Sequence, residues 1–175
     1  MIPEPGRVAT SDLPARALLR RHADHGAYAD CFVIELAALV PLRDYVAAFY
    51  ATPLFKMERW LLHRLANRPS TDGDVLQLAD GTATSFAAWR VEERLPDQLL
   101  MGDFTGRTKS WLMTEPVAGQ GPRTLLYFGS VIVPRVDAET GERSMGIGFH
   151  ALLGFHKLYS RMLLRAAARR VRVQA

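Results

Sequence analysis

Cysteine occurs once in this chain, at Cys31, so no internal disulfide can form and a disulfide-stapled extracellular scaffold is excluded. No stretch approaches the roughly 18 apolar residues needed to span a membrane. The opening Met1-Ile-Pro-Glu-Pro-Gly has no basic region followed by an apolar one, so no signal peptide is read and a cytoplasmic location is the expectation. No strand is followed by Gly-x-Gly-x-x-Gly, and Gly146-x-Gly148 is too short to replace that dinucleotide fingerprint. Ser110 and Ser130 lack the Gly-x-Ser-x-Gly setting of a nucleophile elbow. His22, His25 and His63 do not cluster at ligand spacing, so neither metal nor cofactor is expected. Acidic residues are missing from Lys157 onward, where Arg161, Arg165, Arg169, Arg170 and Arg172 complete six basic ones. The whole chain carries only +4, so the remainder is slightly acidic. A basic region confined to one segment speaks against specific nucleic-acid binding, which usually spreads over a face.

What is present suits one soluble globular unit. With 49% hydrophobic and 23% charged residues, the 175-residue chain needs no staple to fold. Residues 1–26 read as a tail with one short helical piece, Leu13 to Arg21, and 27–175 as a single domain. Ala27 to Leu36 alternates and is rich in β-formers. A helix should follow Pro41 over Leu42 to Ala51. A second starts at Thr52-Pro53, with threonine as cap and proline at the first helical position, and carries Leu54, Met57, Leu61 and Leu65 on one stripe. Thr71-x-x-Asp74 resembles a capping box for a short helix ending at Asp80-Gly81. The period then turns from helical to alternating. Ser85–Leu95, Gln98–Thr105, Thr108–Val117 and Arg123–Pro134 read as an antiparallel meander, broken at residues with turn chemistry. Arg135 to Ser144 reads as a polar loop.

Gly146 to Val173 closes the chain as a long helix. Phe149, Leu152, Leu153, His156, Tyr159, Leu163 and Ala167 share one side at three- and four-residue steps. Lys157, Arg161, Arg165 and Arg169 occupy another. A one-sided helix that follows a run of strands is expected to lie across the concave face of a curved antiparallel sheet. The expected class is therefore α+β.

The order of elements resembles the helix-grip fold of the START-like (SRPBCC) superfamily. Tyr28-Ala-Asp-Cys-Phe, Thr52-Pro-Leu-Phe, Trp89-Arg-Val-Glu and Leu153-Gly-Phe-His-Lys-Leu-Tyr-Ser-Arg-Met-Leu resemble an uncharacterised bacterial family of this type. Some members of that family are fused behind NAD(P)-binding domains of the atypical short-chain dehydrogenase kind. The resemblance runs from about Tyr28 to Leu164 and implies a cavity between sheet and helix that can hold a small hydrophobic molecule. It leaves open a homodimer or a separate dehydrogenase as partner.

One strand parity collects Trp89, Val91, Leu99, Met101, Trp111, Met113, Leu125, Tyr127, Val131 and Val133, the face expected under the long helix. Of these, Trp89, Met101, Trp111, Met113 and Tyr127 are the expected ligand contacts. Asp103 and Glu115 share that parity, and a carboxylate on an apolar face is costly unless paired. They are either strand-end residues open to water or, with His156, an acid–base set. His156 is likewise either a hydrogen-bonded core histidine or a polar group of the cavity. The basic row is the solvated back of the helix or a contact for an anionic partner. Three functions remain: a binding domain, an enzyme using the same cavity, and a partner domain with a filled core.

Overall fold

The computed structural model describes residues 4–23, 27–66, 69–119, 121–133, 135–136, 143–144 and 149–174. In chain order these form β1 (Ala9–Thr10), α1 (Arg20–Ala23), β2 (Tyr28–Leu36), α2 (Leu42–Tyr50), α3 (Pro53–Ala66) and α4 (Asp72–Asp80). There follow β3 (Ser85–Phe86), β4 (Trp89–Leu95), β5 (Gln98–Asp103), β6 (Thr108–Pro116), β7 (Thr124–Ile132), β8 (Arg135–Val136), β9 (Arg143–Ser144) and α5 (Phe149–Gln174). A seven-stranded antiparallel sheet, ordered β1-β2-β7-β6-β5-β4-β3, curves around α5, which is the helix-grip arrangement of an α+β fold. β8 and β9 pair as a separate ribbon. The start expected for the last helix at Gly146, and most of the expected loop before it, fall outside the described residues.

Local chemistry sets the helix boundaries. The Thr52 hydroxyl donates to Phe49 O (3.0 Å) and accepts the Phe55 N–H (3.2 Å), so one side chain closes α2 and caps α3. Thr71 Oγ1 accepts the Asp74 N–H (3.2 Å) while the Asp74 carboxylate accepts the Thr71 N–H (2.7 Å), a reciprocal capping box. Gly81 ends α4 at φ +78°, a conformation that glycine adopts without penalty.

Two expectations about elements are corrected. The run Ser85–Leu95 is not one strand. Ala87, at φ +52°, turns the chain so that β3 folds back on β4, pairing Ser85 with Arg90 and Phe86 with Trp89. Leu13 to Arg21 is not a helix either: isolated turns, Ala17 N–H to Pro14 O and Arg20 N–H to Ala17 O (3.0 Å each), precede the short α1. Gln98 competes for this backbone. Its amide accepts the Leu18 N–H and donates to Arg16 O, 3.0 Å each, which fixes the segment to the sheet instead of to itself.

The sheet is covered on both faces. Its inner face, with Phe32, Ile34, Leu36, Leu99, Met101, Leu112, Leu126 and Phe128, packs against α2, α4 and α5. Its outer face, with Cys31, Val33, Leu100, Trp111, Met113, Leu125, Tyr127 and Val131, packs under Ala17 and Leu19. Gly129 lies opposite Trp111, and a Cβ there would meet Leu19 at 2.9 Å and the indole at 3.0 Å. The missing side chain makes room for both. On the inner side, α5 seats Leu163, Leu164, Ala167, Ala168 and Val171. The side chains of Phe149, Leu152 and Leu153, which shared the expected stripe, fall outside the described residues.

The sheet face assigned to Trp111 and Met113 is corrected by the β5–β6 register. Met101 pairs with Ser110 and Leu100 with Trp111, so odd-numbered residues of β5 share a face with even-numbered residues of β6. Parity cannot be carried unchanged across that hairpin. Trp89, Val91, Leu99 and Met101 therefore belong to the helix side, and Trp111, Met113, Leu125, Tyr127 and Val131 to the opposite one.

Candidate functional site

The inner face is not completely filled. Between α3, α5 and strands β6 and β7 lies a cavity of about 390 Å³. Phe49, Phe55, Phe128 and Leu163 form its floor and walls, and Met57, Leu61 and Phe155 reach it from α3 and α5. Its polar lining is small: Glu58, Trp89, Thr108, Lys109, Ser110, Ser130, His156, Tyr159 and Ser160.

Sheet register assembles one polar group. Asp30, Ser130 and Ser110 stand opposite one another on β2, β7 and β6. The Ser130 hydroxyl donates to Asp30 Oδ1 at 2.7 Å, and His156 Nε2 approaches Ser130 Oγ at 2.6 Å and Asp30 Oδ2 at 3.4 Å. A serine hydroxyl has one proton, and here it goes to the carboxylate, so the contact with His156 requires the proton on Nε2. A nucleophilic triad needs the reverse arrangement, with serine giving its proton to one ring nitrogen and the carboxylate holding the other. Asp30, Ser130 and His156 instead clamp α5 to the sheet and close one end of the cavity.

A second polar group joins the two helices. The Tyr159 hydroxyl donates to the Glu58 carboxylate. Burial pushes the Glu58 carboxyl above its ordinary range, against the opposing pull of that hydrogen bond. Burial and the nearby Glu58 charge push the Tyr159 phenol up. Trp89 and Ser160 also line the cavity, while the Trp89 indole N–H and the Ser160 hydroxyl are themselves fully buried and meet no hydrogen-bond partner among the described residues. Buried polar groups are normally paired, and these two are exceptions in the wall of the cavity.

Of the residues singled out in the sequence, Trp89 and His156 line the cavity. Met101 is buried in the inner core, where its sulfur accepts the Tyr50 hydroxyl at 3.1 Å. Trp111, Met113, Tyr127 and Glu115 are on the other side of the sheet, where the Tyr127 hydroxyl donates to Glu115 (3.0 Å). Asp103 holds the β5–β6 turn: Oδ1 accepts the Arg107 and Thr108 N–H groups (2.9 and 3.1 Å), and Oδ2 accepts the Thr105 hydroxyl (2.7 Å). Asp103 and Glu115 are thus not brought together with His156. Burial and the Asp30 charge raise the Cys31 thiol to about 12, which keeps it protonated and unreactive.

Sequence reasoning missed Asp30, Ser130 and Glu58. Asp30 alternates with Phe32, Ile34 and Leu36, and Glu58 stands four residues after Leu54 and three before Leu61. In each case a carboxylate interrupts an apolar row, and that signal was legible.

No protein-family model and no curated relative matches the sequence. Among solved structures, CalU16 from Micromonospora echinospora is similar over 95% of this chain and 92% of its own, at 13% identity and a TM-score of 0.30. A likeness that slight carries no argument, and the site rests on its own geometry.

Proposed function

We propose that this chain is a START-like binding domain whose cavity holds a small, mainly apolar molecule bearing a hydrogen-bond acceptor. The observation that carries this reading is a 390 Å³ space, walled by aromatic and aliphatic side chains, in a region where a core would otherwise close. Ligand cavities commonly occupy about 300–1,000 Å³ and combine apolar walls with a few polar groups. On a small side-chain adjustment, the unpartnered Trp89 N–H and Ser160 hydroxyl would supply donors for the acceptor. A core filled by its own side chains, the alternative of a purely structural partner domain, fits this space poorly.

Native mass spectrometry of freshly purified protein, followed by titration with the neutral solvatochromic dye prodan, tests the proposal. A co-purifying small molecule, or a blue shift of prodan that Ser110→Phe abolishes by filling the cavity, is expected. A bare chain that leaves prodan emission unchanged would contradict it.

Glu58 favours a second reading. A carboxyl held above its ordinary range in an apolar cavity can exchange a proton with a bound molecule. This enzyme reading requires turnover of the co-purified molecule that Glu58→Gln removes while its binding persists.

A further inference from the structure

The rim of the cavity exposes large apolar side chains. On α5, Phe155 is 67% exposed, Leu158 58% and Met162 50%; on α3, Met57 is 55% exposed, and Leu61 is exposed as well. The Glu58–Tyr159 hydrogen bond ties the two helices together, and Met57, Leu61 and Phe155 line the cavity itself. The apolar group is therefore continuous with the opening. Scattered apolar side chains at a surface are ordinary, but a contiguous group beside a cavity marks a contact surface.

Charge identifies what it contacts. Beside Phe155, Leu158 and Met162, the same helix carries Lys157, Arg161, Arg165 and Arg169 at four-residue steps, all exposed. None of these four has a carboxylate within ion-pair distance among the described residues, although Arg161 donates to Thr10 Oγ1 at 2.8 Å. An apolar row flanked by a basic row is the pattern of a helix lying in a lipid–water interface, with the cations among anionic headgroups. No described helix is long and apolar enough to cross a membrane, so the association is with the surface.

A second copy of the chain fits less well. α5 contains no acidic residue, so pairing two such helices would set basic rows against each other. A nucleic acid would use the basic row and leave the apolar one in water.

We propose that the α3–α5 rim docks on an anionic lipid surface and turns the mouth of the cavity toward it. Docking is carried by the exposed rows. The further step, that the cavity takes its apolar molecule from the bilayer, rests on the binding function proposed above.

Vesicle flotation of the full chain tests docking, with phosphatidylcholine alone and with phosphatidylcholine containing phosphatidylglycerol. The wild type should float with the anionic vesicles and not with the neutral ones, and added salt should weaken the association. Arg165→Glu with Arg169→Glu should reduce partitioning at least about tenfold. Leu158→Asp, outside the cavity lining, should reduce flotation while leaving the prodan response intact. Absent flotation at low salt with a preserved prodan response would overturn docking and leave the binding reading standing. Flotation without a prodan response would support docking and defeat the binding reading. A concentration-dependent dimer that Leu158→Asp dissolves would assign the apolar row to a second copy and overturn the proposal. Tight, salt-resistant binding to duplex DNA would do the same for the basic row.

Discussion

Trp111 and Trp89 stand on opposite faces of one sheet and have opposite surroundings. Trp111 is 0% exposed, its indole N–H donates to Gln98 Oε1 at 2.9 Å, and Gly129 makes room for its ring. Trp89 borders an open cavity, and its buried N–H has no acceptor among the described residues. The outer face is finished: every polar contact around its tryptophan is made. The inner face carries the larger packed core yet leaves space beside α5, where the proposed binding would take place.

Substitutions at the finished face should produce the largest losses. Trp111→Ala should destabilise the fold by about 3–5 kcal/mol, since it opens a large void in a packed region. Urea denaturation with an unchanged m-value measures this, and a loss below about 1 kcal/mol would show that the outer face is not closed as described. Gln98→Leu is smaller in volume change but removes the acceptor of two N–H groups, Trp111 and Leu18, and the donor to Arg16 O. About 1–3 kcal/mol is expected, and limited proteolysis should then cut first between Leu13 and Leu19. Cleavage elsewhere would separate Gln98 from the anchoring of that segment.

Glu58 gives the smallest effect and the most specific one for the open face. Its carboxyl lies above the ordinary range in the folded protein, so the folded state holds that proton more tightly than the unfolded chain. Its contribution is fully present below about pH 4 and is lost as pH rises through the raised folded value. Glu58→Gln removes this dependence. The variant should gain on the wild type as pH increases across that window, read from paired urea midpoints. A constant difference between the two proteins would place Glu58 in water.

How far the sequence revealed this arrangement depends on whether the governing contact is local. Thr52, Thr71 and Gly81 act on neighbours within a few residues, so the bounds of α2, α3 and α4 were readable. The break at Ala87 was not, because an alanine in the left-handed region carries no mark in the sequence. The sheet faces depended on one register that no single strand contains. Even and odd positions exchange sides between Met101 and Ser110, and Trp111 moved with them from the expected cavity to the closed face. His156 was found because it shares one side of the helix with Tyr159, Leu163 and Ala167. Its partners Asp30 and Ser130 come from β2, before the meander, and from β7, its last strand, and are joined only by pairing. The N-terminal cover was missed for a similar reason: Leu19 is buried by a sheet it does not belong to.

The division between the two faces is tested most directly by the indole N–H resonances of nitrogen-15-labelled protein during titration with prodan. The signal of Trp89 should shift progressively and that of Trp111 should stay where it is. A stationary Trp89 signal, or a shift of Trp111 in its place, would contradict the account.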